Sequence, residues 1–164
     1  MLKELSLKAF KSFPDTRIEF KPLTLFSGLN NSGKSSVIQA LRMFDNASDG
    51  VSPLLDGHGS VDDMRSKLSS SSATIEIMCS FNDNDKSTLK LSNDFIEEPA
   101  RCPVCCYVGA DRFGPQAVLP LNRSFDKFPH IGSQGQFVLD FLEQLNYAVI
   151  PETLCTIIYQ KGIR

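Results

Sequence analysis

Apolar and polar positions alternate twice near the start of the chain. Within Leu2–Ala9, residues Leu5, Leu7 and Ala9 fall on one side; within Thr16–Phe20, Ile18 and Phe20 do the same. A period of two marks a strand with one buried face. The intervening Lys11-Ser12-Phe13-Pro14-Asp15 has the Pro and Asp of a turn, so these segments predict an antiparallel hairpin. Leu23-Thr24-Leu25-Phe26 predicts a short apolar strand, and a Gly-rich loop follows. From Ser35 to Phe44 the spacing of Val37, Ile38, Leu41, Met43 and Phe44 predicts a helix.

Asn46–Gly59 is rich in Gly, Asp, Ser and Pro and reads as a loop. Val61–Leu68 predicts a short helix, and the serine run Ser69–Ser72 a flexible connection. Thr74–Phe81, with Ile75, Ile77 and Cys79 alternating, predicts a strand. The polar turn Asn82–Asp85 and a return strand at Thr88–Leu91 complete a second hairpin. Cys102–Gly109 predicts another strand, Arg112–His130 an irregular stretch, and Phe137–Tyr147 a helix with Phe137, Phe141, Leu142 and Leu145 on one face.

At 164 residues and 41% hydrophobic content, the chain is expected to form a single domain with a core. A net charge of -2 argues against a uniformly basic nucleic-acid module. No apolar run approaches the roughly 20 residues of a membrane span, and the N-terminus lacks the pattern of a signal peptide. A cytoplasmic protein without a membrane partner is therefore expected. Cys102-Pro-Val-Cys105 has metal-ligand spacing, but no second pair follows, and His58 and His130 are far apart in sequence. Cys105-Cys106-Tyr107-Val108 reads instead as a buried strand with reduced cysteines.

The strongest chemical signal is Gly28-Leu29-Asn30-Asn31-Ser32-Gly33-Lys34-Ser35, a complete G-x-x-x-x-G-K-[ST] phosphate loop. A triphosphate needs many donors at close range, and backbone N–H groups supply them without bulk. Gly28 and Gly33 let the chain turn tightly against the phosphates. The following helix directs its positive end at the anion. Lys34 is suited to the β- and γ-phosphates, and the Ser35 hydroxyl to Mg²⁺. The pattern predicts ATP with Mg²⁺ as ligand, because no Asn-Lys-x-Asp or Thr-Lys-x-Asp guanine-reading motif is present.

Leu5-Ser6-Leu7-Lys8-Ala9-Phe10-Lys11-Ser12-Phe13, followed by Leu25–Ser36 with its loop, resembles the start of RecF/SMC/OLD-like ATPases, which are ABC-type, AAA-labelled P-loop proteins. Tyr107–Pro115 and Gly132-Ser133-Gln134-Gly135 extend the likeness to about residue 142. The resemblance implies an α/β fold: a P-loop NTPase core, the ABC-ATPase-like N-terminal lobe, with an antiparallel β subsheet. It also implies a role in DNA maintenance or anti-phage defence, with DNA as a partner by family analogy. It places Lys11 and Ser12 near adenine and ribose; their alternative is a plain hairpin turn with Phe13 in the core. It makes Gln116 a sensor of Mg²⁺ and γ-phosphate, the alternative being a solvated loop residue. Asn30, Asn31, Ser32 and Ser36 join the expected nucleotide contacts.

An ATPase of this class also needs an acid at the end of an apolar strand and a neighbouring carboxylate to activate water. Phe137-Val138-Leu139-Asp140 runs on into a helical pattern, and Leu154–Tyr159 holds no acid, so the catalytic residues are unknown. Residues 1–164 are accordingly expected to be an incomplete lobe, inactive alone and dependent on a remaining ATPase half or a homodimer partner. The alternative is a non-catalytic nucleotide-sensing interaction subunit.

Overall fold

The alternating segments of the sequence pair into one antiparallel sheet. The computed structural model describes residues 1–82, 85–100, 105, 107–109, 120, 131–132 and 134–145. The chain divides into two compact units, Met1–Cys105 and Cys106–Arg164. In the first, strands β1 (Glu4–Phe10), β2 (Phe13–Glu19), β3 (Ile75–Asn82), β4 (Asp85–Leu91) and β5 (Ile96–Glu97) lie in the order β2-β1-β3-β4-β5. Helices α1 (Lys34–Ser48) and α2 (Val61–Met64) lie between β2 and β3 in sequence. The α/β class with an antiparallel subsheet is borne out.

One face of the sheet is apolar. Leu7, Ile77 and Leu89 are in register across three strands, as are Ile75 and Leu91 across two. They form a buried cluster with Val37, Ala40, Met43, Phe44 and Ala47, the apolar stripe of α1. The opposite face carries a row of alternating charge, one residue per strand: Asp15, Lys8, Glu76, Lys90, Glu97. Lys8 pairs with Glu76 at 3.3 Å and Lys90 with Glu97 at 3.0 Å.

The first hairpin is tighter than its sequence suggests. Its turn is only Lys11-Ser12, and Phe13, Pro14 and Asp15 belong to β2. Pro14 is tolerated because β2 is an edge strand, where a missing N–H breaks no ladder. Beyond Lys8, the side of β1 that pairs with β3 changes partner. Ser66 N–H donates to the Ala9 carbonyl at 2.8 Å and Lys11 N–H to the Met64 carbonyl at 2.7 Å, around a bridge between Phe10 and Arg65.

That bridge explains why the second helix ends at Met64 rather than Leu68: Arg65 turns to extended backbone to pair with Phe10. The N–H and the hydroxyl of Ser60 both donate to Asp63 Oδ2 at 2.8 Å and fix the start of α2. The Arg65 side chain, 8% exposed, donates to the Ala73 carbonyl and Asn93 Oδ1, each at 2.8 Å, and pairs with Asp62. Asn93 donates back to Asp62 at 3.0 Å, so the ring of three closes.

The first helix runs four residues past Phe44, because Ala47 continues the buried stripe; Gly50, at φ 69, ends it. The expected strand Leu23–Phe26 does not form. No strand among the described residues pairs with it, and Leu23 and Leu25 are 90% and 86% exposed. Phe26 instead meets Phe20 edge to face at 5.9 Å. Of the expected strand Cys102–Gly109, the described residues 105 and 107–109 lie in no strand; the others lie outside the described residues. β5 was not expected from the sequence: it has two residues, both exposed, and no alternation.

In the second unit, helix α3 spans Val138–Leu145, shorter than Phe137–Tyr147, of which Asn146 and Tyr147 lie outside the described residues. It follows a turn in which Gly135 N–H donates to the Gly132 carbonyl at 3.0 Å. Among the described residues no helix is long and apolar enough to cross a membrane.

Candidate functional site

The segment from Gly28 to Gly33 makes three excursions into positive φ: Gly28 at 145, Asn31 at 67 and Gly33 at 92. Backbone that changes hand within a few residues turns its N–H groups toward a common concavity, the arrangement that receives anions. The Gly residues take such angles freely, and Asn is a side-chain-bearing residue well suited to the second, at position 31.

Lys34 follows this loop and turns its ammonium back into it. Its Nζ donates to the carbonyls of Leu29 at 2.6 Å and Gly28 at 2.9 Å, with the Ser32 hydroxyl at 3.4 Å. The ammonium's three donors are thereby directed into the loop. Lys34 is also the first residue of α1. The Ser36 and Val37 N–H groups bond back to the Gly33 carbonyl at 3.0 and 3.2 Å. No side chain caps the helix, and its first turn contains no acid. The positive end of the helix dipole is therefore uncompensated and stands beside a lysine. Ser35, on the first turn, is exposed. Loop, lysine and helix end converge on one spot suited to a chain of phosphates, with the Ser35 hydroxyl at its margin for a hard cation.

The hairpin turn approaches from the side. A Cβ placed on Gly33 would stand 2.8 Å from Phe13 Cζ, so the aromatic ring of β2 fills the space where a larger residue's side chain would project. Lys11 Nζ donates to Gln39 Oε1 on α1. Ser12 is exposed in the turn.

The structure thus gathers Gly28, Asn30, Asn31, Ser32, Gly33, Lys34, Ser35 and Ser36 into one loop and helix start. Lys11 joins α1 through Gln39. Gln116, the other expected metal contact, lies outside the described residues. Gln39 was missed by sequence reading; the signal was a polar residue four before Met43, on the stripe that the helix buries. No group of His, Cys, Asp and Glu among the described residues could hold a metal.

A glycine-turned loop opening a helix beside an antiparallel sheet is an arrangement suited to an anionic ligand. Residues 1–144 match the AAA ATPase domain, and the chain belongs to that family. This agrees with the P-loop ATPase resemblance carried by the N-terminal residues. No curated protein matches the chain. Among solved structures, a chain from work on ATP-driven dimerization and DNA-stimulated activation of SMC ATPases aligns with a TM-score of 0.46 at 22% identity, covering 61% of this chain and 72% of that one.

Proposed function

We propose that this chain binds ATP with Mg²⁺ through Gly28–Ser35. The observation that carries the reading is the convergence of the Lys34 ammonium, the positive-φ loop and the uncapped start of α1. Backbone N–H groups of the loop would hold the phosphates, Lys34 would exchange its carbonyl contacts for phosphate oxygens, and Ser35 would hold the cation. Bound Mg²⁺ would supply charge neutralisation to the phosphates; Gln116 is its second proposed contact from the sequence. The turn Lys11-Ser12 would flank the nucleoside.

The finer role is a proposal of the same kind: an ATP-binding lobe of a RecF/SMC/OLD-like ATPase, working with a further ATPase half or a second copy, on DNA or in anti-phage defence. The residues Leu5–Phe13 and Leu25–Ser36 support it by resemblance. Calorimetric titration with ATP and GTP, with and without Mg²⁺, tests the binding. ATP is expected to bind, to be favoured over GTP, and to lose its heat signal in Lys34→Ala. Absence of ATP binding in folded protein would overturn the reading.

A further inference from the structure

The buried side of α1 carries Val37, Ala40, Met43, Phe44 and Ala47, and between them one amide, Gln39, only 5% exposed. A buried amide is unfavourable unless both ends are bonded. Here both are: Oε1 accepts from Lys11 Nζ, and Nε2 donates to Met64 Sδ at 3.7 Å. Thioether sulfur is a weak acceptor, so the contact with Lys11 is the strong one.

Lys11 is prepared for it from its own side. Its φ of 45 is unusual for a residue with a long side chain, and its N–H is fixed by the Met64 carbonyl at 2.7 Å. Hairpin turn, α1 and α2 therefore meet at Lys11, Gln39 and Met64. The partner of the ammonium is a neutral amide, which orients the charge without cancelling it. Gln39 stands five residues beyond Lys34, about 7.5 Å along the helix axis. The ammonium of Lys11 thus lies beside the first two turns of the helix that opens from the phosphate loop.

We propose that Gln39 is the positioning residue for Lys11, holding it as a second fixed positive charge beside the bound nucleotide, and that an amide serves here because a carboxylate would neutralise it. The inference rests on the reading of Gly28–Ser35 as a polyphosphate loop. Gln39→Glu sets a carboxylate against the ammonium. Gln39→Met keeps the length and removes the acceptor. ATP affinity is measured by calorimetry, at low and moderate salt, for the wild type, both variants, Lys11→Met and the two double variants.

Each Gln39 variant is expected to lower ATP affinity about three- to tenfold, the size of one charge acting over several ångströms in a partly solvated site. The loss should shrink as salt rises. In the Lys11→Met background, either change at Gln39 should move affinity less than about twofold, because the charge it positions is gone. Equal losses in both backgrounds would mean that Gln39 only stabilises the fold, and would overturn the inference. Wild-type affinity in Lys11→Met would overturn it too. Where one Gln39 variant fails to fold, the other decides; where both fail, Lys11→Met decides. A wild type that binds no ATP overturns the loop reading itself, whereas a wild type that binds alongside unaffected Gln39 variants overturns this inference alone.

Discussion

The ring of Phe13 lies where a side chain on Gly33 would have to go: Cζ is 2.8 Å and Cε2 3.3 Å from the position of an added Cβ. The contact ties the first hairpin to the last residue before α1, so the aromatic residue after the turn helps shape the loop.

Gly33→Ala should therefore incur two separate penalties. One is steric, against Phe13. The other is conformational, because φ is 92 there. ATP affinity is expected to fall at least about tenfold, the effect of displacing loop donors whose hydrogen bonds to charged groups are worth about 1.5–3 kcal/mol each. Adding Phe13→Ala should restore part of the loss and not all of it, because only the first penalty is relieved. Calorimetry on the single and double variants is the check; undiminished binding in Gly33→Ala would contradict the contact.

Lys34→Ala is expected to remove ATP binding while leaving the melting temperature nearly unchanged, since its three contacts are exposed and local to the loop. Lys34→Arg should fail as well: a planar guanidinium cannot direct its donors to the same loop positions as a compact ammonium. Thermal melts beside titrations separate the two effects. A large drop in melting temperature would show that the lysine holds the fold and not only the ligand.

The start of α2 should respond to acid. Hydrogen bonds from Asn93, then from Arg65, hold the Asp62 carboxyl below its ordinary 3.8, and the backbone N–H and hydroxyl of Ser60 do the same for Asp63. A depressed pKa contributes stability that is fully present above pH 3.8 and lost as pH falls through the lower folded value. Asp62→Asn and Asp63→Asn should each be less stable than wild type at about pH 7, and the gap should close near about pH 2. Denaturant midpoints at the two pH values measure it; a gap that persists in acid would contradict the assignment.

The charged row across the sheet predicts a salt effect. Glu76→Lys would set three lysines side by side at positions 8, 76 and 90, and like charges directly opposite destabilise a sheet. The melting temperature should fall, and added salt should recover part of the fall. At the far end, Glu97 raises the pKa of Lys90 above 10.5. That pair's contribution is complete below pH 10.5 and lost as pH rises through the higher folded value. A wild-type melting temperature in Glu76→Lys at low salt would show that the row is idle.

Much of this architecture is readable from residue order. The β1–β2 and β3–β4 hairpins follow from alternation, α1 from the spacing of Val37, Met43 and Phe44, and the loop from its glycines and lysine. What escaped depends on partners distant in sequence. Leu23–Phe26 has the composition of a strand, but a strand exists only with a ladder partner, and none of the described residues supplies one. α2 stops early because Arg65 is drawn to Phe10, 55 positions away in the chain. The role of Gln39 rests on Lys11, 28 positions earlier in the chain, and only the return of the turn against α1 shows what its amide holds.

Pro14 carries a consequence for how copies of this molecule meet. It lies in β2, next to the Phe10–Phe13 pair that closes a two-residue turn, and in that register its nitrogen faces outward. A neighbouring chain seeking to add a strand would find no amide to bond at the second residue of that edge. Strand addition along β2 is therefore weakened at its turn end by a single imino acid.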